Sequence, residues 1–306
     1  SSSLLERWES DLYADRTVVA TSATLTLGGR FDTIAASLGL PASTTAPAPT
    51  PAPTPAGAAG QTAPDAADSG QEGAGWRSLD VGSPFDYARQ GILYVASRLP
   101  RPTTSGLSDL AADELVDLVE ALGGRTLGLF SSRRAAERAA EVLRERTGHT
   151  VLLQGEQALP LLVRRFREER SSCLLGVMSL WQGVDVPGDA CQLVVIDRLP
   201  FPRPDEPLAA ARSAAVDESG GSGFAAVSVP IAAVRLAQGA GRLIRTAADR
   251  GVVAVLDSRL ETARGYGGYL RRSLPPFWYT TKPEVVRSAL RRLAAEGAGS
   301  DAAGPS

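Results

Sequence analysis

Gln238, Arg242 and Arg245 stand at i, i+4 and i+7 within Val234-Arg235-Leu236-Ala237-Gln238-Gly239-Ala240-Gly241-Arg242-Leu243-Ile244-Arg245. At about 100° per residue this spacing predicts a helix with the three side chains in one polar stripe. Leu236, Ala240, Leu243 and Ile244 then fall on the opposite side. Gly239 and Gly241 would lie mid-helix, where each costs roughly 1 kcal/mol against Ala, so close approach of another backbone or a ligand is expected there. Two Arg forks and an amide on one surface suit a polyanion, phosphate above all, because the guanidinium matches phosphate oxygens in a bidentate geometry. Taken alone, the pattern equally describes an exposed amphipathic helix with a solvated Arg face.

Three loops carry further polar chemistry. Met178-Ser179-Leu180-Trp181-Gln182-Gly183-Val184-Asp185-Val186-Pro187-Gly188-Asp189 follows an apolar run. Gly183 and Gly188 permit positive φ, Pro187 stiffens the loop, and Asp185 and Asp189 supply carboxylates. Asp185 could orient a ribose, a water or a facing Arg; a plain Pro-Gly turn with solvated Asp residues is the other reading. Phe130-Ser131-Ser132-Arg133-Arg134 ends a strand and opens a helix. Ser131 or Ser132 can cap that helix, and its start can hold a phosphate with Arg133 or Arg134; an ordinary cap with surface Arg fits as well. Thr21-Ser22-Ala23-Thr24 is a short hydroxyl loop of a common kind. Asp113-Glu114 lies in a helical stretch and reads as solvated charge.

The elements that position these loops alternate in type. Apolar, strand-like runs occupy 16–20, 91–96, 125–130, 150–154, 173–178, 191–197 and 251–256. Helical patterns occupy 4–16, 31–38 (closed by Gly39), 108–122, 132–146, 159–170, 234–245 and an Arg-rich 283–296. Ser108 caps the third of these, Leu110, Leu115, Leu118 and Val119 form its apolar side, and Gly123 ends it. Continuous apolar strands separated by amphipathic helices predict an α/β fold, a mostly parallel sheet with helices on both faces. Ligands in such folds bind at the carboxyl ends of the strands, which points to the loops after Ala20, Phe130, Met178 and Asp197. Residues 41–75 are rich in Pro, Ala, Thr and Gly and nearly free of large apolar side chains, so a flexible, partly polyproline linker or insertion is expected.

Bulk properties narrow the class. The 306 residues are 43% hydrophobic and 22% charged with a net charge of −2, so no global basic field draws nucleic acid and any such surface must be local. Lys282 is the only lysine, which makes the placement of the arginines more informative than their number. Cys173 and Cys191, the only cysteines, sit in apolar runs where buried free thiols are the common case, and His149 is the only histidine. No zinc site, four-Cys cluster or disulfide framework fits this composition. No apolar stretch of about 18 residues and no signal-peptide pattern occurs, so a soluble, cytoplasmic protein is expected, with no membrane partner. The start at Ser1-Ser2-Ser3 reads as that of a fragment.

In order, Ser22-Ala23-Thr24, Phe130-Ser131-Ser132, Gly183-Val184-Asp185 and Gln238-x-x-Gly241-Arg242-x-x-Arg245 resemble motifs III, IV, V and VI of superfamily 2 helicases. The wording of Trp181-Gln182-Gly183-Val184-Asp185-Val186-Pro187-Gly188, Asp197-Arg198-Leu199-Pro200-Phe201-Pro202 and Gln238-Gly239-Ala240-Gly241-Arg242-Leu243-Ile244-Arg245 is similar to the DinG/XPD type, which often has Glu where Gln182 stands. The resemblance covers about 12–40 and 84–280, with 178–259 its most specific block.

The resemblance implies two RecA-like domains closing over ATP and Mg²⁺, with single-stranded DNA crossing both. Residues 1–40 would end the first domain, 41–75 would link, and 76–300 would be the second. Arg242 and Arg245 would reach the ATP phosphates, and Gln238 would help position the attacking water or the phosphate, as catalytic residues. Gly183, Asp185, Gly241, Ser22 and Thr24 would serve the nucleotide site, Asp185 near the ribose or coupled to the fingers, and Ser22 and Thr24 by coupling the site to closure. Ser131, Ser132 and Arg133 would meet the DNA backbone. No GxxxxGK[ST] or Asp-Glu-x-His occurs, so the phosphate cradle, the Mg²⁺ ligands and any iron–sulfur cluster are expected outside this chain, in an N-terminal RecA-like domain of the same protein. The implied function is the C-terminal part of a DNA-repair helicase moving 5′ to 3′, nucleoid-associated when on DNA and inactive as this chain alone. A helicase-like module that clamps nucleic acid without hydrolysis is the rival; another α/β phosphate-binding enzyme would leave the order of the four motifs unexplained.

Overall fold

The computed structural model describes residues 17–22, 26–38, 40, 72–73, 76–103, 106–177, 180 and 190–302. The chain divides into two compact units, 1–83 and 84–306.

In the first unit, helix α1 (Asp32–Ser37) forms where the sequence predicts a helix, and it carries Phe31 and Ala35 into a small core with Leu27. Two short antiparallel strands, β1 (Glu72–Gly73) and β2 (Trp76–Arg77), pair with each other, so ordered backbone begins before Trp76. The strand expected over 16–20 does not form. Residues 17–20 have no regular structure, and Val18 and Val19 are 48% and 78% exposed. A strand needs a neighbour for its N–H and C=O groups, and among the described residues no strand pairs with this segment. The helix expected over 4–16 and the linker over 41–71 lie outside the described residues.

The second unit is built on a seven-stranded sheet in the order β5-β6-β4-β7-β8-β3-β9. Its strands are β3 (Gly91–Val95), β4 (Thr126–Leu129), β5 (Thr150–Leu153), β6 (Ser172–Gly176), β7 (Leu193–Ile196), β8 (Gly251–Val255) and β9 (Trp278–Thr280), and all six pairings are parallel. β4, β6, β7 and β8 are buried at every position, as a sheet covered on both faces requires. Tyr94, Val195, Ala254 and Leu175 turn to one face. There α3 (Asp109–Leu122), α4 (Arg133–Arg146) and α10 (Pro283–Ala302) supply Leu115, Leu118, Val119, Leu143, Val286 and Leu290, while α2 (Tyr87–Gln90) leads into β3 and α5 (Leu159–Glu168) joins β5 to β6. The expected α/β architecture is therefore the observed one.

Local signals set the helix ends. Ser108 accepts the Ala111 N–H at the start of α3, and Gly123 closes that helix in the left-handed region at φ 80°. Ser132 caps α4 in the same way through Ala135. Two side chains of α3 depart from expectation. Leu110 is 58% exposed and faces away from the core. Glu114 is buried, accepting the Tyr94 hydroxyl at 2.7 Å and Arg287 at 2.9 Å. Its charge is thus matched across three elements rather than solvated, whereas Asp113 is exposed and pairs with Arg146. Among the described residues no helix is long and apolar enough to cross a membrane.

Candidate nucleotide and nucleic-acid sites

The polar stripe of Gln238, Arg242 and Arg245 does not form on one helix. Helix α7 (Val229–Ala240) stops at Gly241, and Arg242 and Arg245 follow in tight turns. Gly239 and Gly241 weaken the helical option, and Leu243 and Ile244, both buried, take the chain inward to meet the sheet. The turn brings Leu243 against Gly251, where an added Cβ would lie 2.6 Å from the Leu243 side chain and 2.4 Å from the Gln192 carbonyl oxygen. Gln238 is half-buried near the helix end, Arg242 is half-buried and Arg245 is exposed.

The loop that carries Arg245 is braced at the amino edge of the sheet. The Asp249 carboxylate accepts the N–H of Arg245 at 2.6 Å, the N–H of Thr246 at 2.8 Å and the Thr246 hydroxyl at 2.7 Å. Buried Gln90, the residue before β3, donates its amide to the carbonyls of Thr246 at 2.8 Å and Asp249 at 3.2 Å. Since Gly91 and Gly251 are in register, Gln90 and Asp249 enter neighbouring strands side by side. Neither was singled out in the sequence: each is an isolated polar residue before an apolar run.

A second polar cluster lies at the carboxyl edge. Asp197, one residue past β7, is buried and accepts the Ser131 N–H at 2.8 Å and the Ser131 hydroxyl at 2.9 Å. Burial pushes its carboxyl up to about 6, against the opposing pull of Arg198 and of Ser131. Arg198 also donates to the Gly106 carbonyl at 2.7 Å. Fully buried Asp257, past β8, accepts the Leu199 N–H at 2.9 Å and holds Arg259 through bonds of 2.6 to 3.2 Å. These bonds tie the loops after β4, β7 and β8 together. The Ser131 and Ser132 hydroxyls are both engaged, one on Asp197 and the other as the cap of α4, while Arg133 and Arg134 are exposed on that helix's first turn.

The structure therefore brings Ser131, Ser132 and Arg133 to one edge and Arg242 and Arg245 to the other. Ser22 is exposed in the first unit. Thr24, Gly183 and Asp185 lie outside the described residues, and among the described residues no group of His, Cys, Asp and Glu side chains is placed to hold a metal. Cys173 and Cys191 are free and buried, as expected.

A wholly parallel sheet sheathed by helices, with polar loops at its carboxyl edge, is the RecA-like class of α/β fold. Within that class the chain belongs to the helicase C-terminal domain family, which matches residues 115–277. The ATP-dependent helicase DinG of Mycobacterium tuberculosis (strain ATCC 25177 / H37Ra) is 50% identical over 293 residues, covering 95% of this chain and 40% of that protein. The ATP-dependent DNA helicase YoaA of Escherichia coli (strain K12) is 42% identical over 217 residues, 71% of this chain and 34% of that one. A solved XPD helicase superposes over 62% of this chain and 36% of its own at TM-score 0.45 and 16% identity. The chain thus spans 40% or less of the length of these curated relatives.

Proposed function

We propose that this chain is the C-terminal part of an ATP-dependent, DinG-like DNA helicase that moves 5′ to 3′ on single strands in the cytoplasm. Residues 1–40 end a first RecA-like domain, 41–75 link, and 76–300 form the second. Arg242 and Arg245 act as arginine fingers on the phosphates of Mg²⁺-bound ATP held by the preceding domain, where they stabilise charge developing on the transferred group. Gln238 orients the attacking water, Gly183, Asp185 and Gly241 border the nucleotide, and Ser22 and Thr24 couple it to closure. Ser131, Ser132 and Arg133 meet the DNA backbone, and phosphate contacts make that binding sequence-tolerant.

The observation that carries the reading is the Arg245 loop. An exposed Arg is held on a turn whose backbone is bonded by two buried side chains, Asp249 and Gln90. A finger has to be positioned before the transition state forms, because reorganisation at that moment would cost rate.

The test is ATP hydrolysis, with and without single-stranded DNA, by this chain beside a chain extended upstream. Silence here and DNA-stimulated turnover in the longer chain is the expected result. Turnover by this chain alone would overturn the split site, and silence in both, with DNA bound, would favour a non-hydrolysing clamp.

A further inference from the structure

Three aromatic rings meet at the carboxyl edge of the sheet. Phe201 follows the β7 loop, Phe224 opens a π-helical turn (Phe224–Ser228) ahead of α7, and Tyr266 immediately precedes helix α9 (Gly267–Arg272), which itself follows α8 (Arg259–Thr262). Their ring centroids are 5.2, 5.4 and 5.5 Å apart, so each ring touches both others. The Arg259 guanidinium lies 5.8 Å from the Phe201 centroid and is fixed there by Asp257. Phe201 and Tyr266 are half-buried, whereas Phe224 is 47% exposed.

Single exposed apolar side chains are ordinary. Here an exposed ring is backed by two others and presented by a π turn, a distortion frequent at functional sites. The turn is braced too, since the Gly223 N–H donates to Asp217 at 2.7 Å. Arg198, Arg203, Arg259 and Arg264 stand on the segments that carry Phe201 and Tyr266. Arg198, Arg203 and Arg259 are paired with Asp197, Asp205 and Asp257, and Glu206 and Glu261 with Arg235 and Arg271, so the carboxylates near the rings are each matched by an arginine. Flat apolar rings beside carboxylates that arginines neutralise match the faces of unpaired bases, and such stacking is tolerant of sequence.

We infer that Phe224, supported by Phe201 and Tyr266, is a stacking platform for a nucleobase of a single strand whose phosphates pass Arg133. The Ser131–Asp197 and Leu199–Asp257 bonds join the two places along one edge. The inference rests on the nucleic-acid part of the proposed function and adds a base contact to its backbone contacts.

The test compares binding of a fluorescent oligothymidylate with binding of an abasic strand of equal length at one salt concentration. The whole chain should favour the strand with bases. Phe224→Ala should weaken binding of that strand by about 5- to 100-fold and abolish the preference. Phe224→Leu, which keeps an apolar side chain at the contact, should do the same, and Phe224→Trp should retain the preference. Arg133→Ala should weaken both strands alike. Unchanged binding by the Ala and Leu variants, or equal loss on both strands, would overturn the platform alone. If the unmodified chain bound neither strand, the nucleic-acid reading would fall together with the platform.

Discussion

The Asp249 carboxylate receives the main-chain N–H of Arg245 at 2.6 Å, so the proposed finger sits on a turn closed by an acid four residues downstream. The same carboxylate takes two bonds from Thr246. Asp249→Ala would strand these donors in a partly buried place, which costs about 1–3 kcal/mol. Urea unfolding of this chain measures that loss. In the longer chain, misplacement of the finger should lower kcat at least tenfold with KM nearly unchanged, and Gln90→Ala should act in the same direction. An unaltered kcat in both variants would remove the positioning role.

Arg245→Ala should remove most ATP turnover from the longer chain, on the order of 10³-fold or more if the side chain meets transition-state charge. Single-strand binding should persist, because Arg245 lies at the sheet edge opposite Arg133. Equal loss of DNA binding in an anisotropy titration would count against the finger.

Asp197 sets a pH dependence. Its carboxyl, pushed up to about 6 by burial, holds a proton more tightly in the folded state than an ordinary Asp does. The stability it contributes is therefore complete below about pH 4 and is lost as pH rises through about 6. Asp197→Asn has no charge to bury, so its unfolding free energy should fall less than the wild type's between those limits, by on the order of 2 kcal/mol. Denaturation at a series of pH values gives both curves; parallel curves would mean that Asp197 titrates as an ordinary carboxyl.

Ser132 and Arg133 separate structure from binding. Ser132→Ala should cost about 1 kcal/mol by removing the α4 cap. Arg133→Ala should leave the melting temperature unchanged, weaken single-strand binding and reduce the salt slope by roughly one ion. A salt slope identical to that of the wild type would exclude a phosphate contact there.

The two thiols should be inert while the chain is folded. Burial pushes both Cys173 and Cys191 up to about 12, and only the thiolate reacts. An alkylating reagent near neutral pH should modify neither in the native protein and both in denaturant, as intact mass would report.

Much of the fold was legible in the sequence because its signals are local. The seven-residue and shorter apolar runs at 91–96, 125–130, 150–154, 191–197 and 251–256 contain observed strands, and the run at 173–178 overlaps the strand Ser172–Gly176. The caps at Ser108 and Ser132 and the stop at Gly123 act within a few residues of chain. The helix end at Ala240 was less legible, because the wheel counts polar spacing but not the pull of Leu243 and Ile244 into the core. Helix α6 (Pro207–Glu218) and the π turn after it carry too little apolar periodicity for the sequence to reveal them.

By itself, then, the sequence determined the residue types, their order and the alternation that makes a parallel sheet, and with them the family's motifs. Tertiary structure alone decided what those residues touch. Ser131 meets Asp197 across 66 positions because β4 and β7 are neighbours, and Gln90 meets Asp249 across 159 because β3 and β8 are. Strand order places these partners, and it follows from which faces bury together over the whole sheet, a property that no short window of sequence contains.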